Sequence, residues 1–225
     1  MTRPGSVPPG YRRIRIGDRD VVAWEPVIES VENALASADS LYDWAASHGR
    51  PAARGRGAVY EARLGPARAA VRRYRRGGWL RPLGDRYLDR GTRPFRELVA
   101  SEALRAAGVP TPRVLAAVAA PARIGYRAEI AVEWLEPGHD LEPLLRPGAY
   151  PAPIRTAALR AAGRAMGLAH RAGLDHPDLQ YRNLFVRPLP DSGWEGFLLD
   201  LDRASVRPGG AASSKKKTSR GSSGP

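Results

Sequence analysis

His176-Pro177-Asp178-Leu179-Gln180-Tyr181-Arg182-Asn183 is the stretch on which the reading of this chain turns. Upstream of it, Thr156 to Ala172 carries Leu159, Met166 and Leu168 on one side and stops at Gly173. That is the pattern of an amphipathic helix with a glycine just past its end. Downstream, Leu184 to Arg187 and Gly196 to Leu199 flank a Pro/Gly-containing turn and predict a hairpin. A helix, a polar loop and a hairpin thus follow one another. The loop holds a carboxylate and, five residues on, a carboxamide. The hairpin runs out into Leu198-Leu199-Asp200-Leu201-Asp202, where an apolar strand delivers a further carboxylate.

The loop reads H-x-D-L-x-x-x-N, which resembles the catalytic loop of the protein-kinase fold. Phosphoryl transfer needs a carboxylate to orient a weak nucleophile and take its proton, and oxygen ligands for Mg²⁺. Asp178 is the expected catalytic carboxylate, and Asn183 and Asp200 are the expected metal ligands. His176 is expected to brace the loop against the metal-binding turn and not to act as base or ligand. Asp202, two residues beyond Asp200, is expected to turn the same way by strand alternation, with a structural or a metal-supporting part.

The first half of the chain is rich in strands. Tyr11 to Ile16 and Val21 to Trp24 surround a Gly17-Asp18 turn, and Val27 to Ser47 reads as one amphipathic helix. Strands are expected at Ala58 to Leu64, Ala67 to Tyr74, Arg113 to Ala119 and Arg127 to Trp134. A helix is expected from Pro94 to Ala107, with Gly108 beyond it. Gly55 and Gly57 precede the first of those strand pairs, where a turn free of Cβ atoms lets backbone N–H groups approach phosphate. Ala69-Ala-Val-Arg72 stands where a kinase carries V-A-I-K. No lysine precedes Lys215, so a phosphate-gripping cation there must be arginine. Glu97 is the expected partner of Arg72, with Glu102 as competitor. Glu133-Trp134-Leu135 is the expected hinge, offering backbone groups of Glu133 and Leu135 to adenine. The order of elements predicts an α+β fold of two lobes, β-rich then helical. The parts are residues 1–50, a kinase-like N-lobe over 51–135, a C-lobe over 136–207, and a disordered basic tail over 208–225.

The 225 residues carry a net charge of +13 and no cysteine. Such a balance favours anionic partners, and the lack of cysteine excludes a disulfide framework and thiolate metal sites. The tail holds Lys215, Lys216, Lys217 and Arg220 without an acid, yet most of the positive charge lies in the body. Arg72 to Arg76 and Arg81 to Arg93, with Tyr74, Trp79 and Tyr87 among them, are expected to form a basic, aromatic-containing surface for an acidic glycolipid, a membrane or RNA. Neither a membrane-spanning apolar run nor a secretory signal is apparent, so a cytoplasmic or peripheral membrane location is expected.

Several strings are similar to the lipopolysaccharide kinase family, and closest to its Kdo (3-deoxy-D-manno-octulosonic acid) kinase branch. They are Gly55-Arg-Gly-Ala58, Val71-Arg-Arg-Tyr-Arg-Arg-Gly-Gly78, Leu83-Gly-Asp-Arg-Tyr-Leu88, Phe95-Arg-Glu97, Gly108-Val-Pro-Thr-Pro112, His176-Pro-Asp-Leu179 with Asn183, and Leu199-Asp-Leu-Asp-Arg203. The resemblance covers about residues 50 to 206, and an arginine in the Arg72 position is itself similar to that branch. It implies a protein-kinase-like fold using ATP and Mg²⁺. It also implies a peripheral enzyme at the cytoplasmic face of the inner membrane, phosphorylating the 4-hydroxyl of Kdo on a lipid A precursor. Nucleic acid is then not the expected partner. The Pro/Gly and Ser/Lys-rich sequence from Pro208 departs from the family's basic terminal helix, so a short or truncated C-terminal end is expected. A heptose kinase, a small-molecule phosphotransferase and a non-catalytic basic pseudokinase are the alternatives.

Overall fold

The computed structural model describes residues 7–53, 58–75, 86–87, 92–146, 148–191 and 193–207. Gly55, Gly57, Trp79 and the tail from residue 208 lie outside the described residues.

The first lobe is built on a sheet of eight strands. These are β1 (Tyr11–Ile16), β2 (Arg19–Trp24), β3 (Arg50–Ala53), β4 (Val59–Leu64), β5 (Ala67–Arg73), β6 (Arg86–Tyr87), β7 (Val114–Pro121) and β8 (Tyr126–Glu133). Their order is β1-β2-β7-β8-β5-β4-β3, with β6 pairing β8 beyond the end of β5. Every pairing is antiparallel. Both faces are covered. One buries Val21, Ala23, Ala69, Val71 and Val118 beneath α1 (Ile28–Ser37) and α2 (Leu41–His48). The other buries Val22, Ala117, Ala128 and Ile130 with Leu98 of α3 (Arg93–Ala106). Side chains alternate along β5, so Val71 faces α1 and α2 while Arg72 faces α3.

The single helix expected over residues 27–47 is two. Ser40 is extended and its Oγ accepts the Asp43 N–H at 3.0 Å. This N-cap starts a new helix and contributes about 1 kcal/mol, enough to favour a break that the apolar stripe alone does not reveal. The later helix starts earlier than expected. Here α5 runs Ala152–Arg171, with a proline in its first turn where the missing N–H costs nothing.

The second lobe comprises β9 (His139–Asp140), α4 (Leu141–Leu145), α5, β10 (Leu174–Asp175), β11 (Leu184–Pro188), β12 (Trp194–Leu198) and β13 (Ser205–Val206). The buried stripe of α5 is alanine: Ala158, Ala161, Ala162, Ala165 and Ala169. Small residues let the β11–β12 hairpin sit directly on the helix. A Cβ on Gly196 of β12 would stand 2.6 Å from the Ala161 carbonyl oxygen, so only glycine fits. Leu104 and Val109, at the end of α3, pack into this lobe's core. The connector after α3 runs beside β12, the Leu198 N–H donating to Pro110 O at 3.0 Å and Thr111 Oγ1 donating to Leu198 O at 3.0 Å. The helix that carries Glu97 is thereby tied to the strand that leads to Asp200.

Candidate active site

The polar loop follows α5 through Gly173, whose φ of 82° is open to glycine, and the short strand β10. His176 then links its two ends. Its Nδ1 accepts the Asp178 N–H at 3.2 Å, and its Nε2 lies 2.9 Å from the Asp200 carbonyl oxygen. A ring nitrogen that accepts from an amide has no proton, so the proton sits on Nε2 and is donated to Asp200 O. One imidazole ring thus spans the catalytic loop and the turn after β12. A second tie, from the Leu199 N–H to Asn183 O at 2.7 Å, closes the same gap. Asp178, Asn183 and Asp200 are brought to one place by these two links.

The Asp178 side chain is exposed, and its Oδ1 accepts from Gln180 Nε2 at 2.9 Å. Asn183 ends one turn of 3₁₀ helix, Tyr181–Asn183, and its Oδ1 takes the Gln180 N–H at 3.3 Å. Asp200 is left-handed, at φ 54°, a conformation that aspartate tolerates better than most residues. It has therefore already left strand geometry. Asp202 forms a two-pronged ion pair with Arg93 at the start of α3. It anchors α3, the structural part expected of it, and its charge, like that of Asp200, acts on Arg72 and Glu97.

Arg72 is the centre of the upper side. Its Nη2 reaches Glu97 Oε1 at 2.7 Å and Oε2 at 3.0 Å, and Asp200 Oδ1 at 2.9 Å. Glu97 is buried and also receives the Tyr74 hydroxyl. Burial pushes the Glu97 carboxyl up from its ordinary range, and Arg72 and the Tyr74 hydroxyl pull it back. Burial works against the charge on Arg72, but Glu97 and then Asp200 outweigh it and hold the guanidinium more firmly protonated than usual. Burial, and next the Glu97 carboxylate, keep the Tyr74 phenol protonated. Glu102, the competitor for Arg72, is occupied elsewhere: it accepts from Tyr11 Oη at 2.8 Å and lies 3.4 Å from Arg105.

Arg73 points the other way. It donates to Glu129 Oε1 at 3.0 Å, Ser40 Oγ at 2.7 Å and Asp43 Oδ2 at 2.9 Å, pinning α2 to the sheet. Tyr74 and Tyr87 are buried, with Arg93 stacked over both rings. The basic, aromatic surface expected around them is therefore partly interior. Arg73 and Arg93 are spent on carboxylates, and Arg72 commits its Nη2 to Glu97 and Asp200.

At the far end of β8, Glu133 N–H donates to Arg113 O at 2.8 Å and Trp134 N–H to Arg68 O at 2.9 Å. Glu133 is exposed and Leu135 half-buried, between the two lobes. An exposed carboxylate at Asp200 and an amide oxygen at Asn183 form the sparse oxygen set that Mg²⁺ accepts when phosphates and water complete its shell. The donor set thus fits Mg²⁺. Sequence reasoning missed Gln180, Tyr74 and Arg93 as parts of this site. Only Gln180 had a local signal, a side-chain amide two residues after the key aspartate.

A sequence profile described as "Lipopolysaccharide kinase (Kdo/WaaP) family" matches residues 50–218, running past Pro208 where the resemblance was expected to stop. The chain is 36% identical over 184 residues to "3-deoxy-D-manno-octulosonic acid kinase" of Xanthomonas oryzae pv. oryzae (strain PXO99A), covering 80% of this chain and 70% of that protein. It is 35% identical over 185 residues to the protein of the same name in Stenotrophomonas maltophilia (strain R551-3), with the same coverage of each. A solved structure of "WaaP in complex with acyl carrier protein" is 22% identical, with a TM-score of 0.48 over 75% of this chain and 67% of that one.

Proposed function

The chain belongs to the lipopolysaccharide kinase (Kdo/WaaP) family, and from that premise we propose that it uses ATP and Mg²⁺ to phosphorylate the 4-hydroxyl of Kdo on a lipid A precursor. The single observation that carries the reading is the cluster in which His176 joins Asp178 to Asp200 while Arg72 joins Asp200 to Glu97. A binding module has no use for an exposed carboxylate, an amide oxygen and a phosphate-sized cation held together in this way.

In this reading Asp178 receives the hydrogen bond of the acceptor hydroxyl and takes its proton as the oxygen bonds to the terminal phosphorus of ATP, whose bond to the bridging oxygen breaks so that ADP leaves. Gln180 holds the Asp178 carboxylate in position. Arg72 offers Nε and Nη1, uncommitted among the described residues, to the nucleotide phosphates. Glu97, locked by Tyr74, keeps that guanidinium in place. Backbone groups of Glu133 and Leu135 bind adenine. Asp200 and Asn183 would hold Mg²⁺, which would neutralise charge on the transferring group.

Asp178→Asn should keep nucleotide binding and lower transfer by about 10²- to 10⁴-fold, because the amide preserves shape but takes no proton. The assay is transfer from labelled ATP to a Kdo-bearing lipid A precursor, beside a heptose-bearing core and a generic protein. Asp178-dependent label on the Kdo acceptor alone supports the assignment. Label on the heptose core moves it to a heptose kinase. Nucleotide binding without transfer to any acceptor favours a pseudokinase.

The acceptor is a lipid, so we place the enzyme at the cytoplasmic face of the inner membrane, as a peripheral protein. No helix among the described residues is long and apolar enough to cross a membrane, and the net charge is +13. Binding to anionic vesicles should weaken as salt rises, since screening reaches about 10 Å at 0.1 M. Removing residues 208–225 should reduce this binding without ending it. Salt-independent binding, or complete loss with the tail, would refute a membrane surface on the body.

A further inference from the structure

We propose that Arg182 and Arg146, with the ring of Tyr181, form the subsite that binds the carboxylate of the acceptor sugar. This rests on the Kdo-kinase reading and assigns the residues that recognise its acceptor. Arg182 directly precedes Asn183 in the one 3₁₀ turn that also holds Tyr181. Asp178 is four residues upstream, so these side chains border the space in which the acceptor hydroxyl must stand. Tyr181 is 41% exposed there, whereas Tyr42, Tyr74, Tyr87 and Tyr126 are buried.

The charges beside that ring are loosely matched. Glu142 on α4 lies between the two arginines, its Oε2 3.6 Å from Arg182 Nε and its Oε1 3.6 Å from Arg146 Nη2. Both separations exceed a hydrogen bond. Elsewhere in this lobe Arg187 holds Glu195 at 2.8 Å, and in the cleft Arg72 holds Glu97 at 2.7 Å. One carboxylate serves both cations, and it is itself close enough to Asp140 for the two acids to repel each other. All three side chains are exposed, at 56%, 69% and 42%, so drawing the arginines from Glu142 to a second anion costs little.

A planar guanidinium grips a carboxylate with two parallel hydrogen bonds, and the tyrosine face packs on the carbons of a sugar ring. The ligand chemistry is thus a sugar acid. A neutral heptose gives this subsite nothing to pair with. Glu142 keeps the two arginines near each other while the site is empty and repels acceptors whose anion is misplaced.

The experiment compares wild type with Arg182→Gln, Arg146→Gln and the double variant. The acceptors are the Kdo-bearing lipid and the same lipid with its sugar carboxylate methyl-esterified. Binding of a non-hydrolysable ATP analogue verifies that each variant is folded. Esterification should lower wild-type kcat/KM by about ten- to a hundredfold, mostly through acceptor KM. The double variant should lose a similar factor on the native acceptor and then be indifferent to esterification. If esterification costs the double variant as much as wild type, the carboxylate is bound elsewhere and the subsite is overturned, with the Kdo assignment intact. If wild type phosphorylates both acceptors equally, no carboxylate is recognised and the subsite is likewise overturned. Label from wild type on a heptose core alone overturns both.

Discussion

Asp200→Ala should reduce phosphate transfer by roughly three orders of magnitude or more. Among the described residues, Asp200 alone touches both halves of the cluster. Its carboxylate meets Arg72 at 2.9 Å, and its carbonyl is held by His176 at 2.9 Å. It also supplies the carboxylate assigned to the metal. Alanine is strained at a φ of 54°, so part of any loss would come from the turn itself. Asp200→Asn separates the two effects, because asparagine tolerates that conformation while lacking the charge. It should melt close to wild type and be nearly as inactive as Asp200→Ala. Single-turnover transfer and thermal unfolding on both variants decide the matter. Substantial turnover by Asp200→Asn would remove Asp200 from the metal site.

Arg72→Ala should unfold about 10 °C below wild type. Glu97 is 3% exposed and, among the described residues, would keep the Tyr74 hydroxyl alone as a side-chain partner. Breaking a buried ion pair costs about 3–5 kcal/mol, and for a chain of this size each kcal/mol moves the midpoint by about 2–4 °C. The adjacent Arg73→Ala should be just as damaging to stability, since it leaves Glu129, also 3% exposed, without its arginine. Function tells the two apart. Arg72→Lys keeps a charge beside Glu97 but loses the planar fork, and it should bind an ATP analogue at least tenfold more weakly. Arg73→Lys faces α2 and should bind it as wild type does. Calorimetric titration with the analogue measures both. Equal affinities would mean that Arg72 serves only to hold α3.

The chemistry-bearing residues were legible because their signals are local. Asp178 and Asn183 lie in one loop, and Asp200 leaves a strand marked by its apolar run. The opposite orientations of Arg72 and Arg73 follow from the two-residue period of a strand, which sequence displays directly. The pairing of Arg72 with Glu97, 25 residues apart, was legible only through the kinase-like order of strand and helix. Only the tertiary structure decided what Asp202, Arg73, Tyr74 and Tyr87 do. Asp202 meets Arg93 across 109 residues of chain, and Arg73 meets Glu129 across 56. In a chain this rich in arginine, any carboxylate has many cations of the right type. Which one it receives depends on sheet register and on the helix laid over each face, and neither leaves a mark in the neighbouring sequence. Burial of Tyr74 and Tyr87 has the same origin. They look like a surface among arginines until α3 packs over them and turns those arginines inward, because a buried cation is tolerated only where a carboxylate has been brought to meet it.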